Sequence, residues 1–354
     1  MKIAPHRRTA LLIATLVPLA LTACAGREFS LAAREDAARP VTERGTSASR
    51  SAPVRLVPAP ASLALTPRVT LVSSQTLEGV TYAQGIVMHD GVAYVLADMD
   101  TGVVREFSLA LDHADASTPR LDPTGRSFAC TLGGDDLAPH PTGLTWADTG
   151  AQIEGVDLPP LCFVGDTVRG VGTIFTIDWA RARDSGTLDD AILNITRDDA
   201  ASNGTRPEAV VIGGRTLIAT SDYGDQDNHL RLYDPAALAR ASLTTDSGVI
   251  VHAMPCGSFV QSIRWIEGRN AIVLVQNTTP GLGYRLTFID AKALGVALGA
   301  LGEGEALDLR GLASVDLPDL TDELEGFTML TDDLGVLVNS STTDNAHFVE
   351  IDWP

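Results

Sequence analysis

Aromatic side chains make up only 5% of the 354 residues, lysine occurs twice, at Lys2 and Lys292, and 26 basic residues face 45 acidic ones. A formal net charge of −19 argues against a nucleic-acid partner, because gripping phosphate needs a basic face. It favours cations or basic partners instead. The sequence contains no Gly-rich phosphate loop, no Gly-x-Ser-x-Gly elbow and no His-Glu-x-x-His run, which removes the hydrolase classes with local signatures. Long stretches of 3.6-residue periodicity are missing too, short ones at 235–241 and 291–298 aside, so a helical architecture is a poor reading. What is present, 45% hydrophobic and 20% charged residues with 32 Gly and 19 Pro, describes a folded, turn-rich chain rather than collagen, coiled coil or disorder.

The amino terminus has its own pattern. Lys2, His6, Arg7 and Arg8 precede an apolar run over residues 9–21 that Pro18 interrupts, too short to span a bilayer and shaped like a secretory signal. The run ends in Leu21-Thr22-Ala23-Cys24, which resembles the lipobox of bacterial lipoproteins. The resemblance implies a signal peptide over 1–23, a diacylglycerol on Cys24 and a domain held at the membrane without a spanning helix. Ala25-Gly26, with no Asp behind the Cys, resembles cargo sorted to the outer membrane in Gram-negative bacteria, so the expected location is the cell envelope, facing the periplasm or on the outer membrane.

Residues 24–66 are rich in Ala, Arg, Ser, Thr and Pro and hold one aromatic, Phe29, the composition of a flexible stalk. Ten basic and four acidic residues occur up to Arg68, leaving sixteen against forty-one beyond it. A basic stalk beside anionic lipid and an acidic body held away from it follow from that division. The sparse Lys equally reflects a GC-rich genome.

From residue 67 to 354 short β-rich runs recur. Anchors Gln84, Thr142, Glu208, Gln261 and Glu325 each open an apolar strand, followed by a Gly turn, a second strand ending on Asp or Asn, and a third closing near an acidic residue. Asp98, Asp222 and Asn339 each stand 14 residues after their anchor. The spacing predicts an all-β, five-bladed β-propeller, or six blades if residues 110–140 or 291–322 hide another. Only three strands follow Glu325, and the β-branched run at 69–72 has no blade of its own, so an N-terminal strand is predicted to complete the last blade and leave no edge.

This blade pattern resembles the gluconolactonase-like (senescence marker) and NHL-type propellers. In lactonase-like members a divalent cation, commonly Ca²⁺, sits in the central channel on Glu, Asn and Asp from different blades. The matching positions here are Glu208 and Glu325, with Asp98, Asp222 and Asn339 as second-strand partners; Gln84, Thr142 and Gln261 depart from the pattern but still line the channel. Independently of the family, oxygen donors converging on one axis suit a hard cation, or they simply face channel water.

Other residues carry narrower expectations. His140 stands at the mouth of a blade, placed for a general base but with no nucleophile in view. His229 and His347 each precede a closing Asp by five residues and read as repeat-borne loop positions. With Cys24 lipidated, an oxidising compartment predicts one disulfide, and Cys130 and Cys162, which flank the junction of the first and second blades, are the expected pair, leaving Cys256 a buried thiol. Two functions remain: a module binding a protein, glycan or small molecule on its channel face, and a metal-dependent lactonase- or esterase-like hydrolase.

Overall fold

The computed structural model describes residues 54–110, 119–150, 152–153, 156–157, 160–168 and 171–354; the signal segment, Cys24 and the stalk up to residue 53 lie outside them. Alternating β-branched and aliphatic runs punctuated by Gly and Asp turns fold into five antiparallel sheets, one after another along the chain. From inside outward, blade one is Ala83–His89, Val92–Asp98, Gly102–Ala110 and Arg120–Ala129; blade two is Pro141–Ala147, Leu161–Val168, Val171–Ile177 and Ile192–Asp198. Blade three is Glu208–Ile212, Arg215–Thr220, His229–Tyr233 and Ile250–Pro255. Blade four has Val260–Ile266, Ala271–Gln276 and Tyr284–Asp290, and blade five Leu324–Met329, Leu334–Asn339 and Ala346–Asp352.

The chain is thus a five-bladed β-propeller. Its ring closes as the run at 69–72 predicts: Arg68–Gln75 pairs antiparallel with Ala346–Asp352, Leu71 opposite Val349 and Val69 opposite Ile351, so the last blade's outer strand comes from the other end of the chain. The two segments where a sixth blade was open do not make one. Described residues of 110–140 supply blade one's outer strand and a small Thr131–Leu132/Asp135–Asp136 hairpin, and 291–322 form the helix Ala291–Gly299 with short strands Glu305–Asp308 and Val315–Leu317.

Two expectations are corrected. Residues 55–65, assigned by composition to the stalk, belong to the domain: Arg55–Pro58 pairs in parallel with Glu305–Asp308, Ala64–Leu65 pairs with the third strand of blade four, and Leu63 is fully buried. Such docking rests on backbone hydrogen bonds and one apolar side chain, neither of which leaves a compositional mark. The Cys130–Cys162 disulfide is absent as well. Both residues are free thiols in the apolar layer between blades one and two, and Cys256 lies buried between blades three and four. They pack as small apolar residues, and burial pushes all three thiols up from their ordinary range.

The core is five separate layers, each between neighbouring blades, because every strand sends alternate side chains to opposite faces. Val95, Val336 and Phe348 fill the layer between blades five and one; Phe288, Phe327 and Leu337 fill that between four and five. The acids that close the third strands of blades two, three and four are helix N-caps. Asp178, Asp234 and Asp290 accept the Arg181, Ala237 and Ala293 N–H groups, starting helices Trp179–Ser185, Pro235–Leu238 and Ala291–Gly299.

Candidate functional site

The inner strands pack closely around the axis. Gly326 of blade five lies so near Gly85 of blade one that an added Cβ would stand 2.8 Å from the Gly85 Cα, and Gly143 meets Pro207 in the same way. In four blades a β-bulge falls at the anchor, leaving Gln84, Thr142, Gln261 and Glu325 as the extra residue of their strands. A bulge re-aims its side chain away from the regular alternation. Blade three has none there, and Glu208 pairs directly with Ala219, so it is out of register with the other four.

That shift puts Glu208 against an arginine. Arg264 of blade four donates Nη2 to Glu208 at 2.7 Å and Nη1 to the Ile86 carbonyl of blade one at 3.3 Å, while the Trp265 N–H holds the second Glu208 oxygen at 2.8 Å. Burial pushes the Glu208 carboxyl up and the Arg264 guanidinium down, and their mutual attraction opposes both. The pair spans three blades and leaves an axial cavity of about 10 Å³ lined by Gly85, Thr142, Arg206 and Arg264, room for about one water. The channel is closed at this level.

Above the plug, Arg206 donates Nε to the Gln261 carbonyl at 2.9 Å and Nη1 to that of Asn203 at 3.2 Å, and its guanidinium lies 5.7 Å from the centre of the Tyr223 ring. Among the described residues no carboxylate bonds to it directly, and burial lowers its pKa to about 10. Its Nη2 also approaches Gln261 Oε1 at 3.5 Å, which turns the amide nitrogen of Gln261 towards Glu323 at 2.9 Å and Glu325 at 3.3 Å. Glu325 is pushed well above the usual carboxylate range by burial and by Glu323 beside it, with Arg206 pulling the other way.

The remaining expected residues occupy separate networks. Asp222 is fully buried in a bidentate pair with Arg231. Asn339 directs Nδ2 to the Tyr284 hydroxyl at 2.9 Å and to His347 Nε2 at 3.0 Å, while its Oδ1 accepts the Ser341 N–H. His347 therefore carries its proton on Nδ1 and donates it to Ser74 at 2.7 Å, the reverse of what a base activating a serine needs. Asp98 holds His140 Nδ1 at 3.0 Å, and the His140 N–H binds Asp166 Oδ1, whose other oxygen is buried without a partner. The Gln84 side chain bonds the Tyr82 carbonyl, that of Thr142 the Thr205 carbonyl, and that of His229 the Asp227 carbonyl.

The five residues matched to a family cation do not form a site for it. Arginines hold Glu208 and Asp222, Asp98 holds a histidine, and Asn339 and Glu325 belong to two further networks. Among the described residues no group of three or more His, Cys, Asp or Glu stands where it could hold a metal. Sequence reasoning missed Arg206 and Arg264, the residues that define the axis. A charged side chain inside the apolar run Val-Gln-Ser-Ile-Arg-Trp was the available signal for Arg264.

No protein-family model and no curated protein matches this sequence. Among solved structures, the chain is similar to a Dos1 propeller at 13% identity and TM-score 0.35, over 76% of this chain and 57% of that one, so it spans little more than half of that chain's length. It is similar to the WD40 domain of Toxoplasma gondii coronin at 9% identity and TM-score 0.34, over 86% and 89% of the two chains. The computationally designed Ika8 protein gives 9% identity and TM-score 0.28 over 80% and 100%. At these values the likeness carries no functional argument, and the fold rests on the sheet topology itself.

Proposed function

We propose that this chain is an envelope-anchored binding propeller that recognises a cationic group, an amine or guanidinium of a small ligand or a partner protein, at the mouth of its closed channel. The observation that carries this reading is the Glu323–Gln261–Glu325 arrangement: two carboxylates share one amide nitrogen, and neither forms an ion pair with a basic side chain among the described residues. A cation placed there replaces a weak shared donor with charge-assisted bonds and relieves the repulsion between the two acids. The metal-dependent hydrolase finds less support, since Arg264 occupies the axis where its cation belongs and, among the described residues, His347 and Ser74 are not poised as base and nucleophile.

The test is fluorescence anisotropy with a labelled arginine-rich hexapeptide. Glu323→Gln weakens binding about fivefold or more. Glu325→Gln costs less, because Glu325 is already held towards its neutral form. Asp332→Asn, in the turn at the opposite end of the same strand, changes nothing. Absence of peptide binding, or equal losses in all three variants, overturns the reading. The anchoring part rests on the Leu21-Thr22-Ala23-Cys24 sequence and has its own check: Cys24→Ala shifts the protein out of the membrane fraction or leaves unprocessed precursor, and unchanged fractionation and processing remove the anchor.

A further inference from the structure

The residue immediately before the inner strand, at the channel mouth, is Tyr82 in blade one, His140 in blade two, Phe259 in blade four and Glu323 in blade five. The anchors that follow Tyr82, Phe259 and Glu323 share the same bulge, so these three positions are equivalent in space as well as in sequence. Blade five packs between blades four and one, and Glu323 is therefore flanked on each side by an aromatic residue at its own level. Every other described Phe, Tyr and Trp side chain packs into one of the five layers between blades, except Tyr223, which ends up beside Phe259. In a chain with 5% aromatics, those outside the core all stand at the channel mouth.

Their surroundings leave the rings accessible and hold them in place. Tyr82 is 54% exposed, and Phe259 and Tyr223 are half-buried. Tyr82 and Phe259 have φ of 53° and 55°, a left-handed backbone that bulky residues rarely adopt. The Asp98 N–H on the Tyr82 carbonyl and the Asn277 N–H on that of Phe259, both at 3.0 Å, secure the two turns. Phe259 lies 5.7 Å from the Tyr223 ring, whose hydroxyl accepts the Gly281 N–H at 2.8 Å. A Cβ on Gly281 would stand 3.7 Å from Glu323 Oε1, so the carboxylate and this aromatic pair are neighbours. Deeper in, Glu325 is 3% exposed, and its second oxygen accepts no hydrogen bond from the described residues.

We infer that the cationic group bound at the mouth is an alkylated ammonium, a nitrogen that carries methyl groups in place of N–H. This rests on the cationic reading above and narrows it. A primary ammonium has three N–H donors, and a mouth flanked by rings offers too few acceptors for them once water is displaced. A quaternary nitrogen has no donor to satisfy. Its methyl groups spread the charge, shed water readily and lie against the faces of Phe259 and Tyr82, while Glu323 supplies the opposite charge. The chain makes the same kind of contact internally, with the Arg206 guanidinium over Tyr223.

The experiment is calorimetric titration of the full chain with tetramethylammonium and choline beside ammonium, and anisotropy with a labelled lysine peptide and its trimethyllysine counterpart. The expected result is binding of each methylated form at least tenfold tighter than its unmethylated counterpart. A trimethyllysine peptide that outbinds choline makes the source a partner protein, and the reverse order makes it a free small molecule. Tyr82→Leu and Phe259→Leu each weaken tetramethylammonium about fivefold and leave the lysine peptide within about twofold. Tyr82 is exposed and belongs to no layer, so its variant keeps the test decisive if Phe259→Leu misfolds. Equal binding of methylated and unmethylated forms, while the arginine-rich hexapeptide still binds, overturns this inference and leaves the cationic reading standing. Absence of binding by every cation overturns both, and an undiminished preference for methylated forms in both variants removes the aromatic residues from the site.

Discussion

Arg264 sits in the innermost strand of blade four with its guanidinium shared between a carboxylate of blade three and a carbonyl of blade one. Both members of its pair with Glu208 are buried, so each is tolerable only because the other is there. Arg264→Met strands a buried carboxylate and lowers unfolding free energy by about 3–5 kcal/mol in urea titration, whereas Arg264→Met with Glu208→Leu recovers most of that loss. A double variant as unstable as the single one would place the damage in packing rather than charge. Asp166 gives the second residue-scale expectation. Burial raises its pKa from 3.8 to about 7, so the folded protein holds this proton more tightly than the unfolded chain. Its contribution is complete below pH 3.8 and is lost as pH rises through 7; buried Glu325 acts with the same sign. Buried His347 pulls the opposite way, its folded pKa lying below 6.5, so the informative quantity is the difference between wild type and Asp166→Asn. Wild type gains about 3 °C or more in Tm from pH 8 to pH 5 relative to that variant. Parallel curves for the two proteins would mean that Asp166 takes up no proton in this range.

At the scale of elements, the parts of the fold that sequence revealed are those whose signals are local. Alternating apolar residues between Gly and Asp turns marked the first three strands of each blade, and the closing acids marked real boundaries. What those acids do was hidden: Asp178, Asp234 and Asp290 cap helices of seven, four and nine residues, too short to display a 3.6-residue period. The anchors were also legible as positions, yet their equivalence failed at Glu208, because a bulge changes register without changing the spacing of residue types. For the site the limit is similar. Gln261 and Glu325 do meet, but Asp98, Asp222 and Asn339 satisfy themselves within their own blade or against the next, each with a partner distant or unremarkable in sequence. The expected disulfide followed from compartment and from the place of both cysteines at the junction of blades one and two; they do share that layer, but a shared layer does not by itself bring two thiols into bonding geometry.

For the whole molecule, the amino-terminal segment decides how the ring is held. Residues 68–75 complete blade five and residues 55–65 supply part of the outer layer of blade four, so one continuous stretch ties two adjacent blades before the first blade begins. Three truncations separate these contributions, with first residues 54, 67 and 76. Starting at 54 leaves every described pairing in place, and its Tm equals that of the full chain. Starting at 67 removes Leu63, whose burial alone stabilises by about 1.5–3 kcal/mol, together with the pairing to Glu305–Asp308, and Tm falls by several degrees. Starting at 76 also strips the partner strand from Ala346–Asp352 and bares an edge bearing Phe348 and Val349; that variant unfolds or aggregates at ambient temperature. Equal Tm for the first two would show that residues 55–65 lie on the domain without supporting it. Equal Tm for the last two would show that the ring does not depend on its closing strand, a result incompatible with a propeller whose final blade has only three strands of its own.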